Sequence, residues 1–152
     1  TSPRRTKRKR SVTDSRLQRS RSSASRADCQ AERSMTKIVF FRSDGFYYGF
    51  EEQGHTGYGE EGDDVLCAAL SAMTMLIINT IEVAFDSDVD YEIDEKTTDI
   101  RIKAKAALPE YEDDELKRYA VSGMFLGYYK QLEDMLEEYY DYLDLAIEDR
   151  PY

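Results

Sequence analysis

The alternation of apolar and polar positions changes period several times along the chain, and each change marks an element. Lys37-Ile38-Val39-Phe40-Phe41-Arg42 is β-branched and aromatic, Ser43-Asp44-Gly45 has turn chemistry, and Phe46-Tyr47-Tyr48-Gly49-Phe50 resumes an aromatic run. That pattern predicts a hairpin. The stretch from Gly54 to Gly62 then carries Gly54, Gly57, Gly59 and Gly62, four of the chain's eight glycines, among His55, Tyr58, Glu60 and Glu61. Such glycine density predicts a mobile loop. From Val65 to about Ala84 the chain is apolar almost all round, with Asp63 or Asp64 placed as an N-cap carboxylate. A helix of about 20 residues, ~30 Å long, needs cover on most sides. One small sheet can cover only one of them, so a second helix, a partner subunit, or both are expected against the rest.

Further on, Val89, Tyr91 and Ile93 alternate with Asp90, Glu92 and Asp94, and Ile100, Ile102 and Ala104 alternate with Arg101, Lys103 and Lys105. A period of two predicts two half-buried strands whose outer faces bear opposite charges able to pair, with a turn near Lys96-Thr97-Thr98. After Pro109, Asp113 or Asp114 caps a helix from about Glu115 to Tyr139, with Leu116, Ala120, Gly123, Met124, Gly127, Leu132 and Leu136 near one face. Leu143, Leu145 and Ile147 alternate with Asp144 and Ala146 and suggest a short last strand. The order β-β-α-β-β-α, then that strand, is an α+β fold: one small domain, with a mixed or antiparallel sheet packed on two helices.

Charge divides the chain in two. The 152 residues carry 21 Lys plus Arg and 31 Asp plus Glu, a formal net charge of −10. Residues 1–34 hold 11 basic and 3 acidic side chains, net +8, which leaves 10 basic and 28 acidic, net −18, for residues 35–152. The arm has eight Ser, nine Arg and only Val12 and Leu17 as large apolar residues. It cannot bury enough surface to offset its ordering entropy and is expected to be disordered. A nucleic-acid-binding tail would interleave aromatics among the basic residues, and a transit peptide would show an amphipathic stripe; the arm has neither. Met35 stands immediately before the first strand-like segment. The favoured reading is therefore that Met35 is the start and residues 1–34 are an over-extended reading, leaving 35–152 as the domain. No uninterrupted run of 18 apolar residues occurs, so no membrane span is expected.

The chemistry-bearing residues are few. Cys29 and Cys67 fall one in the arm and one in the apolar helix, which is neither a disulfide framework nor a paired metal knuckle and suits a reducing compartment. His55 is the only histidine. It stands on the glycine loop just before the helix whose first turn or so holds Cys67, where unpaired N–H groups and the macrodipole favour a thiolate. A protonated His55 over Cys67 would favour it further and could return the proton to a leaving amine. Asp64 lies three residues before Cys67 and Ser71 four after, on one helix face. Asp64 either orients His55 or caps the helix; Ser71 either bonds substrate or back-bonds to the carbonyl of Cys67. Backbone N–H groups at the helix start, that of Cys67 included, are candidates for an oxyanion site. Against catalysis stands the ordinary reading, a small buried thiol and a solvated loop imidazole. A metal site is disfavoured because loop and helix offer no second Cys or His, and a phosphate cradle because Glu60, Glu61, Asp63 and Asp64 would repel it.

The string Gly54-His55, Gly57-Tyr58-Gly59-Glu60-Glu61-Gly62, Asp64 and Val65-Leu66-Cys67-Ala68-Ala69-Leu70-Ser71-Ala72 closely resembles the ribosomal-processing cysteine protease family, Prp (YsxB-like), of Firmicutes and some relatives. The resemblance runs from Met35 to about Ile147, including Tyr139-Tyr140-Asp141-Tyr142-Leu143, and omits residues 1–34. It departs at the acidic segment Asp86 to Asp94 and at Thr56, where members often carry Ala. It implies a small cytoplasmic homodimer that needs no metal or organic cofactor. Its implied activity is removal of an N-terminal extension from the twenty-seventh large-subunit ribosomal protein, cutting after an aromatic residue. It further implies Cys67 as nucleophile and His55 as general base, Asp64 and Ser71 as supporting residues, and the Gly54–Gly62 loop as a mobile cover. No membrane and no direct nucleic-acid contact are implied. A body of net −18 facing a basic substrate should associate faster at low salt. The competing reading is a non-enzymatic acidic module holding a basic ribosomal or nucleic-acid-binding partner, with Cys67 as core packing.

Overall fold

The structure, a computed structural model, describes residues 35–54, 61–97 and 99–152, with residues 61–64 as backbone only. The basic arm, the loop residues His55, Gly57 and Gly59, and Thr98 lie outside the described residues.

Strands β1 (Thr36–Ser43) and β2 (Phe46–Gln53) pair antiparallel through a tight turn at Asp44 and Gly45, whose φ angles of 49° and 84° are both positive. Asp-Gly is the pair that tolerates this turn, whose twist matches the strands it joins. Helix α1 (Glu61–Asn79) continues into a π-helical turn (Thr80–Ala84), where the amide of Phe85 donates to the carbonyl of Thr80 at 3.0 Å. Strands β3 (Asp90–Ile93) and β4 (Ile100–Lys103) form the second hairpin. Asp94 closes its turn, its carboxylate accepting from the amides of Lys96 and Thr97. A 3-10 turn (Lys105–Ala107) leads to helix α2 (Glu115–Tyr139), capped by Asp114, whose side chain accepts from the amides of Leu116 and Lys117. Strand β5 (Leu143–Asp149) then runs parallel to β1. The five strands lie in the order β3-β4-β2-β1-β5, a mixed sheet, and the domain is α+β as the pattern predicts.

Both helices cover one face of this sheet. Ile38 and Phe40 of β1, Phe50 of β2 and Ile102 of β4 are fully buried, and Leu66, Leu70, Ile77 and Ile81 of the α1 segment and Val121, Phe125 and Leu132 of α2 belong to the same core. The ring of Tyr128 on α2 meets Phe40 and Phe50 edge-on at 5.6 and 5.1 Å. On the opposite face the β1/β2 register slips by one residue after Phe41, leaving Tyr48 as the extra residue of a bulge stacked on Phe41 at 6.0 Å. The tail after β5 covers this pair: the Tyr48 hydroxyl donates to the carbonyls of Arg150 and Pro151, and the Arg150 guanidinium lies 4.1 Å over the Phe41 ring.

Three expectations change. Helix α1 begins at Glu61, so Asp63 and Asp64 fall inside its first turn instead of capping it, and Gly62 belongs to the helix and not to the loop. The buried face of α2 is Val121, Ser122, Phe125, Tyr128 and Leu132, whereas Leu116 is 82% exposed and Gly123 and Gly127 are exposed too. A weak apolar moment in a long helix does not fix which side faces the sheet; the aromatic rows of β1 and β2 decide it. Finally, Val65–Ala84 is long and apolar enough by composition to cross a membrane, with mean hydropathy 1.8, even without an unbroken apolar run. In the fold its Leu66, Leu70, Ile77 and Ile81 row is core, while most of the segment is not buried. Its other face, including Val65, Ala68, Ala72, Met75 and Leu76, is exposed.

Candidate active site

Cys67 is the seventh residue of α1 and half-buried; Leu66 before it and Leu70 after it turn fully into the core. Ser71 follows one turn later and is exposed, while Asp64 precedes it by three residues on the helix backbone. These three positions therefore share a helix face, as the spacing requires. The earlier helix start changes their electrostatics. The amides without an i−4 carbonyl inside the helix belong to its first turn, residues 61–63, so the Cys67 amide belongs to the regular ladder and lies beyond the turn where the macrodipole acts most strongly. An oxyanion site built from the helix start would use the amides of residues 61–63, not that of Cys67.

The chain enters the His55 loop through Gly54, which is held from two sides. Its amide donates to Asp99 Oδ1 at 3.2 Å, and its φ is +83°. A Cβ added there would stand 2.6 Å from the carbonyl oxygen of Met35. Only glycine meets both conditions, so this loop glycine is an anchor. Asp99, in the β3–β4 connection, was not singled out by any sequence motif, because its partner is 45 residues away.

Beneath the helices lies a polar cluster that belongs to no sequence motif. Glu52 of β2 is only 1% exposed, and Thr74 of α1 and Tyr128 of α2 are buried as well. Burial pushes the Tyr128 phenol far above its ordinary value, and the charge of Glu52 pushes it the same way, against a smaller opposing effect of the Thr74 hydroxyl. Strand period puts Glu52 on the same face as Phe50, two residues away, and the packing over that face is what buries it. Beside Tyr128 the helices diverge into an apolar groove of about 640 Å³, lined by Ala72, Met73, Leu76 and Ile77 of α1 and by Gly123 and Gly127 of α2, among others. Among the described residues, no three His, Cys, Asp or Glu side chains are grouped as a metal site.

The model of one protein family, cysteine protease Prp, matches residues 35–144. The chain belongs to the cysteine protease Prp family. It is accordingly an enzyme of the cysteine protease class. Solved structures agree with the fold. The Streptococcus mutans protein SMU.848 is 26% identical, with a TM-score of 0.64 over 77% of this chain and 100% of that one. The S. aureus ribosomal processing protease Prp in complex with a substrate peptide is 19% identical, with a TM-score of 0.61 over 75% and 100% of the two chains. The same protease with a covalently linked product peptide is 22% identical, with a TM-score of 0.59 and the same coverage. No curated protein sequence matches the chain. The matched span starts at Met35, includes His55, Asp64, Cys67 and Ser71, and excludes Cys29.

Proposed function

We propose that the chain is an endopeptidase that uses Cys67 as nucleophile and His55 as general base to remove the N-terminal extension of a ribosomal protein, the twenty-seventh of the large subunit, cutting after an aromatic residue. One observation carries the catalytic assignment: the family is one of cysteine proteases, and Cys67 is the only cysteine, as His55 is the only histidine, within the matched residues 35–144. The ribosomal substrate is supported by the neighbours named as ribosomal processing proteases with substrate and product peptides.

The steps follow from the groups. His55 takes the Cys67 proton, and the thiolate attacks the scissile carbonyl carbon. The carbonyl electrons move onto oxygen, where amide donors hold the charge. Collapse of the intermediate expels the amine, which takes the proton from the imidazolium, and leaves a thioester on Cys67. Water, deprotonated by His55, then hydrolyses the thioester and frees the thiol. No step calls for a metal or organic cofactor. Asp64 and Ser71, on the Cys67 face of α1, are the supporting polar residues. The exposed apolar face of α1, with Val65, Met75 and Leu76, supports a homodimer that covers it; the reducing chemistry of a lone thiol suits a cytoplasmic enzyme.

The test is cleavage of a peptide spanning the extension and the mature N-terminus. Cys67→Ala and His55→Ala are each expected to lower kcat/KM by on the order of 10⁴-fold or more while the circular dichroism spectrum stays native. Retained cleavage in Cys67→Ala would remove Cys67 as the nucleophile, and no cleavage by the wild type would return the molecule to the acidic binding-module reading.

A further inference from the structure

The open end of the sheet is the least accounted-for surface of the molecule. On the helix side, two cross-strand rows run outward through β4 to β3: Phe50, Ile102, Tyr91 and Glu52, Ile100, Ile93. The first two members of each row are buried or half-buried, but Tyr91 is 54% and Ile93 57% exposed, so the apolar surface of the sheet continues past the cover of the helices. Among the described residues the backbone edge is open as well. The amide of Asp94 donates to the carbonyl of Asp99, which fixes the hydrogen-bonded pairs of the hairpin as Asp94/Asp99, Glu92/Arg101 and Asp90/Lys103. The N–H and C=O groups of Tyr91 and Ile93 consequently point away from β4, toward the free side of an edge strand.

Charge says what this edge accepts. Residues 86–99 carry seven acids, Asp86, Asp88, Asp90, Glu92, Asp94, Glu95 and Asp99, against Lys96 alone. On the outer face Glu92 is 3.6 Å from Arg101, and Asp90 receives the Tyr152 hydroxyl. Pairing β3 with the β3 of a second copy would set these acids against one another, which is destabilising. A strand that alternates Lys or Arg with apolar residues fits both faces at once: basic side chains beside Asp90 and Glu92, apolar ones over Tyr91 and Ile93.

We propose that β3 is a docking edge for the basic polypeptide that follows the scissile bond, bound as an added antiparallel or parallel strand. This rests on the reading above that the substrate is a basic ribosomal protein. It adds an affinity and rate determinant separate from Cys67 and His55, and it makes the length of the substrate beyond the cleavage site matter.

Two substrates with one cleavage sequence test it: a short, near-neutral peptide and the same peptide continued into the basic mature protein. At low salt the full chain should process the long substrate at least about tenfold more efficiently than the short one, a gain in the range of electrostatic steering and docking. Ile93→Pro removes an outward amide that the β3/β4 ladder does not use, with Ile93→Ala as the side-chain control. Asp88→Lys combined with Glu95→Lys reverses exposed charge and leaves every strand residue in place. Each is expected to bring the long-to-short ratio of kcat/KM close to one while the short peptide is cut as before. The charge variant decides the question if Ile93→Pro fails to fold. A wild-type ratio near one overturns the dock and leaves the protease reading intact. A large ratio unmoved by both variants, or a change in oligomeric state without a change in ratio, also overturns it and leaves the acids as guards of an open edge. Failure of the wild type to cut either substrate sinks the protease reading instead.

Discussion

Gly54 is the residue at which backbone geometry controls the approach to the chemistry. Its positive φ and the 2.6 Å that a Cβ would have to Met35 oxygen predict that Gly54→Ala costs about 1–3 kcal/mol by urea denaturation, a strain penalty larger than the entropy a methyl group recovers in the unfolded chain. A loss below a few tenths would mean that this turn relaxes freely. Thiol activation makes a second prediction. With Cys67 two turns into α1 instead of at its start, the helix dipole contributes little, and the proposed mechanism assigns the activation to the imidazole. Alkylation of Cys67 by iodoacetamide, located by peptide mass, should rise at lower pH in the native protein than in His55→Ala; superimposable profiles would remove His55 from the activation. Cys67 and His55 stand out in the sequence as candidates because so few residues of their types exist. Asp99 and Glu52 were not, since an anchoring carboxylate and a buried one look like any other acid until the chain is folded.

At the scale of elements, β5 shows how a short final strand is held. Arg42 of β1 donates through Nε and Nη2 to both carboxylate oxygens of Asp149, at 2.6 and 2.8 Å. That bidentate hydrogen bond lowers the Asp149 carboxyl below its ordinary value. A carboxyl depressed in the folded state stabilises it at pH above the unfolded aspartate value, about 3.9, and loses that contribution as pH falls through the folded value. Asp149→Asn should therefore lower the urea midpoint by a small constant amount from pH 5 to 8, and the difference should vanish under acid. A difference that persists unchanged in acid would assign the effect to lost packing. The hairpins and the span of α2 were legible because turn residues, alternation and the Asp114 cap are local signals. The buried side of α2 was not: Leu116 is apolar yet solvent-facing, because the rings of Phe40 and Phe50 select Phe125 and Tyr128 as their partners.

The molecule as a whole is an acidic body. The chain is net −10 and its residues 35–152 are net −18, and the encounter with a basic substrate should speed up as salt is lowered. For the long substrate kcat/KM is expected to fall by about tenfold between 20 and 300 mM salt with kcat nearly constant, an effect on association; a flat profile would mean that charge does not guide the encounter. The apolar face of α1 gives a second prediction at this scale. Leu76→Glu puts a charge on that face, where a homodimer would bury it, and should convert dimer to monomer by analytical ultracentrifugation without unfolding the sheet. An unchanged sedimentation profile would place the subunit contact elsewhere.

Period, turn chemistry and residue scarcity determined the α+β order of elements and the helix that carries the thiol, and singled out one cysteine and one histidine as the candidate pair, because each is a local or compositional property. The tertiary structure alone decided where Gly54 is anchored, that Glu52 is buried, which side of α2 meets the sheet, and that β3 is left as an open acidic edge. Those properties come from partners distant in sequence: the Met35 carbonyl and Asp99 for Gly54, the aromatic rows of β1 and β2 for α2, and a strand order that, among the described residues, leaves β3 without an outer neighbour.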